Sequence, residues 1–99
     1  MYTACLIGYG YWGSKLARNF QNSRFFNIIS IADTKHKHLA SAKKTYPLIK
    51  CFKDYKKAIK NDSLNLVIIS SPTSTHFKIA QYALKNSKHI LVEKPLSLS

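Results

Sequence analysis

Apolar positions along the chain fall into two alternating rhythms. "TACLI" (3–7) is a short β-rich run that stops at Gly8. In "YWGSKLARNFQNS" (11–23), Trp12, Leu16 and Phe20 recur every fourth residue, the stripe of a helix with one buried face. "FNIISIAD" (26–33) returns to a β-branched run, and "KHLASAKKTY" (37–46) reads as a short helix stopped by Pro47. "IKCF" (49–52) predicts a weak strand, and "KDYKKAIKN" (53–61) a short helix with Tyr55, Ala58 and Ile59 on one side. "LNLVIISS" (64–71) is the strongest strand, and its unbroken apolarity implies burial on both faces. "STHFKIAQYALKNS" (74–87) predicts a helix capped by Thr73 or Ser74, with Phe77, Ala80, Ala83 and Leu84 inward. "HILV" (89–92) is a last strand, begun by His89.

Strands separated by helices mean βαβ units and a parallel sheet. The predicted fold class is therefore α/β, a doubly wound parallel sheet of about five strands. Residues 1–99 make a single domain with a modest core. There is no internal repeat, low-complexity segment or linker. The chain stops four residues after Pro95 with no helix behind it, so the sheet is expected to be incomplete without a C-terminal continuation.

All three glycines of the chain fall in "GYGYWG", at 8, 10 and 13. G-x-G-x-x-G is weak evidence alone, but here a predicted strand precedes it and a predicted helix follows. Each glycine then has a task in a Rossmann-type dinucleotide site. Gly8 allows the tight turn off the strand, Gly10 a close backbone approach to a pyrophosphate, and Gly13 close packing of the helix on the strand. The helix N-terminus supplies the anion site. The aromatic side chains between the glycines are expected to point out of the turn, with Tyr11 and Trp12 beside the cofactor. Asp33 lies 20 residues after Gly13, at the end of the second strand. A carboxylate there accepts both ribose hydroxyls of an adenosine and repels a 2′-phosphate, which favours NAD. Lys35 and Lys37 temper that preference and leave NADP possible.

A second constellation closes the chain. Ser70, Ser71 and Pro72 end the most buried strand, near the expected topological switch point. His76 lies in the first turn of the next helix, and Glu93, Lys94 and Pro95 end the last strand at the same rim.

The pairing of the glycine opening with "SPTSTH", a helix and "KHILVEKPLSLS" resembles the Gfo/Idh/MocA family of NAD(P)-dependent oxidoreductases over almost the whole chain. The resemblance implies that Gly8, Gly10, Gly13 and Asp33 bind the cofactor. It implies that Ser71, Pro72 and His76 line it toward the nicotinamide. Lys94 matches the family's lysine beside the nicotinamide and the substrate hydroxyl, with Glu93 and Pro95 positioning it. His76 is a weaker catalytic candidate, with local bonding in its helix turn as the plainer alternative. The implied activity is hydride transfer between the cofactor and a sugar, polyol or nucleotide-sugar hydroxyl. Family members carry a second α/β domain that holds most of the substrate site and the oligomer interface. This chain alone is expected to bind cofactor without turnover. The alternative is a stand-alone nucleotide-binding or regulatory module.

Charge changes the picture only slightly. Sixteen Lys and Arg face four acids, a formal net charge of +12. Such a balance suits nucleic acid or a membrane surface. The lysines are scattered, however, and Lys, Ile, Asn, Tyr and Phe, all prominent here, share A/T-rich codons. A solvated basic surface is the reading, with no nucleic-acid partner. No apolar run approaches a membrane span, and no signal peptide opens the chain. Cys5 and Cys51 read as buried free thiols in a reducing cytoplasm. His36 and His38 form H-x-H without acidic or cysteine partners, so they read as surface residues and no metal site is expected.

Overall fold

The structure is a computed structural model, and it describes residues 2–92. Five strands and four helices alternate: β1 (Tyr2–Ile7), α1 (Tyr11–Gln21), β2 (Phe26–Ala32), α2 (His36–Thr45), β3 (Lys50–Phe52), α3 (Tyr55–Ile59), β4 (Leu66–Ile69), α4 (Thr73–Lys85) and β5 (His89–Val92). Every strand pair is parallel, in the order β3-β2-β1-β4-β5. The chain builds outward from β1 on one side, then crosses to β4 and builds outward on the other. The order reverses between β1 and β4, and ligands of such sheets bind outside the carboxyl ends of the strands there.

Alternation along the strands fills two cores. Ala4 and Leu6 of β1 join Leu66 and Ile68 of β4 in a layer with Ala17 of α1 and Leu39 and Ala42 of α2. Cys5, Ile7, Val67 and Ile69 point the other way, onto Ala58 and Ile59 of α3 and Ile79 and Ala83 of α4. Side chains of a strand alternate between faces, so a strand buried on both sides must be apolar at every position. The four residues of β4 are all buried, as its unbroken apolarity predicts. One irregularity resets the phase of β2. Ala4 pairs with Ile28 and Cys5 with Ser30, which leaves Ile29 without a partner on β1. Ile29 packs in the second core and Ile31 in the first, although simple alternation puts them on one face.

The structure corrects four expectations. In α4, Ile79 and Ala83 are buried with Ala80 beside them, whereas Phe77 and Leu84 are 75% and 65% exposed. The inward stripe is Ile79, Ala80 and Ala83, at i, i+1 and i+4, set by the sheet rather than by the largest side chains. Pro72 holds the N-cap position of α4, ahead of both Thr73 and Ser74, and no side chain caps the helix there. Tyr9 points into the first core, while Tyr11 points out. Cys51 is only half-buried. Cys5 is fully buried, and burial pushes its thiol up to about 12 against the weaker pull of Lys88.

Candidate functional site

The carboxyl ends of β1, β2 and β4 open into one cleft. From β1, the chain enters Gly8 with φ +98°, a conformation that side-chain-bearing residues rarely adopt. A Cβ on Gly8 would also lie 2.8 Å from the Ser71 amide nitrogen, so the first glycine turn presses on the β4–α4 turn. A Cβ on Gly13 would fall on the Gly8 carbonyl oxygen, which is how α1 comes down so closely on the end of β1. Gly10 differs. Its Cβ would meet only Cε1 of His38, at an ordinary 3.6 Å. Nothing in the protein forbids a side chain there, and the space it would fill is the cleft itself.

Gly10 is the N-cap of α1 and offers no side chain to the helix amides. The first turn holds no acidic residue. Its N–H groups lack intrahelical acceptors and carry the positive end of the helix dipole, so they face the cleft ready for an anion. Two buried polar atoms of the cleft wall, the Trp12 Nε1 and the Ser70 Oγ, have no hydrogen-bond partner among the described residues. Orphaned buried polar atoms are rare in folded proteins, and an ordered water or a bound polar group would satisfy these two.

Asp33 ends β2 at the floor of this cleft. Its Oδ2 accepts the Tyr9 amide at 2.7 Å and His38 Nδ1–H at 2.9 Å. Its Oδ1 accepts the Lys35 amide at 2.8 Å. The carboxylate side chain is 9% exposed and His38 26%. Burial alone would raise the Asp33 pKa, but the Tyr9 and Lys35 amides and His38 together outweigh it and hold the group below the ordinary carboxylate range. His38 corrects the surface reading of H-x-H, because it does have an acidic partner. His36 is exposed, as expected.

From β4, Ser71 and Pro72 form the opposite wall, with Ser71 Oγ and Thr75 Oγ1 2.8 Å apart. His76 donates Nε2–H to the Ser71 carbonyl, since a carbonyl only accepts. That bond ties the first turn of α4 to the turn before it.

Gly8, Gly10, Tyr11, Trp12 and Gly13 from the first turn, Asp33 from β2, and Ser71, Pro72 and His76 from the β4–α4 turn thus share one cleft of about 600 Å³. Glu93 and Lys94 lie outside the described residues. A smaller apolar cavity of about 250 Å³ adjoins the cleft, sharing Gly8, Asp33, Thr34, Ser71 and Pro72 and running down to Ala32, Tyr55 and Ile79. Sequence reasoning missed one member of the site and misjudged the part played by another. His38 stands five residues past Asp33, beyond a turn, so its return onto the carboxylate follows from where α2 starts. Lys35 lines the cleft as foreseen for a phosphate partner, but its backbone amide is the group that already works there.

Among the described residues no group of three or more His, Cys, Asp or Glu is placed to hold a metal ion, and no helix is long and apolar enough to cross a membrane.

Comparison with known proteins places this arrangement. A family model described as an oxidoreductase family with an NAD-binding Rossmann fold, Gfo/Idh/MocA, matches residues 3–99. A myo-inositol 2-dehydrogenase of Thermotoga maritima is 30% identical over 94 residues, which cover 95% of this chain and 28% of that protein. A probable dehydrogenase from the same species, known from its crystal structure, superposes with a TM-score of 0.87 at 29% identity, over 98% of this chain and 29% of that one. A biliverdin reductase from Synechocystis sp. PCC 6803, crystallised with biliverdin and NADP+, superposes with a TM-score of 0.86 at 25% identity, over 98% of this chain and 30% of that one. The chain thus spans less than a third of the length of these relatives. It belongs to the Gfo/Idh/MocA oxidoreductase family, as the NAD-binding Rossmann part of that fold.

Proposed function

We propose that the cleft holds a nicotinamide dinucleotide, and that the whole protein uses it to oxidise or reduce a hydroxyl-bearing carbon of a sugar, polyol or nucleotide-sugar. The observation that carries the reading is Gly10. Gly8 and Gly13 are glycine because the protein's own backbone leaves no room, but Gly10 faces only the cleft. A position kept bare without an internal reason fits a ligand backbone lying against it.

The rest of the site suits the same ligand. The N–H groups at the start of α1 suit a pyrophosphate, and Asp33 suits the adenosine ribose. The mostly apolar cavity of about 250 Å³ lined by Ala32, Tyr55, Pro72 and Ile79 is assigned to the adenine ring. Ser71, Pro72 and His76 then border the nicotinamide half. The bond from His76 to the Ser71 carbonyl makes His76 a positioning residue, which holds the wall of the cleft in place. When bound, the nicotinamide supplies the hydride acceptor or donor. Lys94 is proposed to exchange the hydroxyl proton of the substrate, with Glu93 and Pro95 beside it in the chain.

The substrate class rests on the myo-inositol 2-dehydrogenase relative, whose name denotes a polyol. The substrate pocket, a second domain and the contacts of an oligomer are assigned to the remaining length that the relatives have. This chain alone binds the dinucleotide without turning substrate over.

Gly10→Ala tests the reading, because it separates fold from ligand. The variant is expected to melt within a few degrees of the parent, since the new Cβ makes only one ordinary contact. Its affinity for NADH, measured by calorimetric titration, is expected to fall by about tenfold or more, a loss on the order of 1.4 kcal/mol. Unchanged affinity in a folded Gly10→Ala protein would remove the main support for this placement of the cofactor.

A further inference from the structure

The carboxylate at the end of β2 has few free positions left. A carboxylate offers about four acceptor sites, two on each oxygen. On Asp33, Oδ2 already accepts the Tyr9 amide and His38 Nδ1–H, and Oδ1 accepts the Lys35 amide. Bidentate recognition of a ribose diol needs one free site on each oxygen. Only Oδ1 has one.

His38 is the removable member of this set. The Tyr9 and Lys35 donors are backbone groups fixed by the turns on either side, whereas His38 reaches Asp33 with a side chain. Its ring also stands over Gly10, with Cε1 3.6 Å from the position a Cβ would take. The ring therefore lies where the ribose must pass between the glycine turn and Asp33. Because Nδ1 donates to the carboxylate, the second nitrogen, Nε2, is left over, and it has no partner among the described residues. Lys35 lines the same cleft, whereas Lys37, next to His38 in sequence, does not. The β4–α4 wall adds Ser70, Ser71 and His76 but no carboxylate.

We propose that His38 sets how this protein discriminates between a ribose 2′-hydroxyl and a 2′-phosphate: it occupies the Asp33 oxygen that the diol would use and offers its own Nε2 in exchange. The inference rests on the placement of a dinucleotide in this cleft. A neutral ring accepts a hydrogen bond at Nε2 from the 2′-hydroxyl of NAD. A ring that carries a proton on both nitrogens donates from Nε2 to the 2′-phosphate of NADP. The same ring shields the phosphate from the Asp33 carboxylate. The acid at the end of β2 thus does not act alone as an NAD selector, and the protein accepts both cofactors.

NADH and NADPH titrations of the full chain and of His38→Phe test this, with Asp33→Asn as control and melting temperatures recorded throughout. His38→Phe keeps a ring and removes both nitrogens. Loss of the Nε2 contact and release of the Asp33 oxygen act in opposite directions on NADH, so the readout is the ratio: NADPH affinity relative to NADH affinity is expected to fall by about tenfold or more. Parallel losses for both cofactors would mean that His38 only supports the fold, and no change in either would mean that its ring lies away from the ribose. Either result overturns the proposal. If His38→Phe does not fold, the parent chain still decides. Adenosine 2′,5′-bisphosphate is expected to compete with NADH within about tenfold of 5′-AMP, and a bisphosphate that fails to compete while 5′-AMP does would sink the idea. The underlying placement fails separately: NADH would then not bind the parent, or Asp33→Asn would leave its binding untouched.

Discussion

Asp33 concentrates much of what single residues decide in this protein. Its carboxylate is nearly buried yet held below the ordinary range, because three donors converge on it. A depressed carboxyl stabilises the fold fully above its unfolded value of 3.8, and that contribution is lost as the pH falls through the lower folded value. Asp33→Asn is therefore expected to cost on the order of 1–3 kcal/mol at neutral pH, because the amide cannot accept all three donors. The gap to the parent is expected to narrow below about pH 3.8, as urea titrations at neutral and acid pH will show. An equal cost at both pH values would mean that the charge of Asp33 contributes nothing. The acid and the three glycines were legible in the sequence because a fingerprint fixes their spacing. His38 was not, since nothing in H-x-H shows that the first turn of α2 folds back over the strand end. Lys94 belongs to a motif equally legible in the sequence, and it lies outside the described residues.

At the scale of elements, period and length were enough to find every strand and helix to within about two residues. What periodicity cannot supply is the direction in which a face points. Helix α4 carries two overlapping apolar stripes, and the one with the bulkier residues, Phe77 and Leu84, faces outward. The sheet accepts the smaller set because Ala80 and Ala83 let the helix approach closely, with Ile79 filling the gap over Ile69 and Ile7. Ile79, at 2% exposure, is expected to cost about 2–4 kcal/mol when cut to alanine. Phe77→Ala is expected to change stability by about 0.5 kcal/mol or less. Chemical denaturation of the two variants checks the assignment, and the reverse ranking would mean that α4 is rotated on the sheet. The bulge at Ile29 has the same lesson. One unpaired residue reverses the facing of everything after it in β2, and the bare apolar run "NIISIA" carries no sign of it.

For the whole molecule, the strand order is what turns separate motifs into a site. Alternating strands and helices imply a doubly wound sheet, but only the reversal between β1 and β4 brings Gly8 against Ser71 and puts Asp33 on the same rim. The glycine turn, the strand-end acid and the Ser71–His76 wall come from distant parts of the chain, yet they line one cleft continuous with an apolar cavity. Trp12 is the single tryptophan of the chain and stands in that cleft, so it reports on whatever binds there. The most direct measurement is a titration of the chain with NADH, followed by Trp12 fluorescence at low and high salt. A saturable change with one midpoint that moves little with salt is the result expected of a built dinucleotide site. Absence of saturation, or a response that disappears as salt rises, would contradict it and leave only general attraction between an anion and a protein of charge +12.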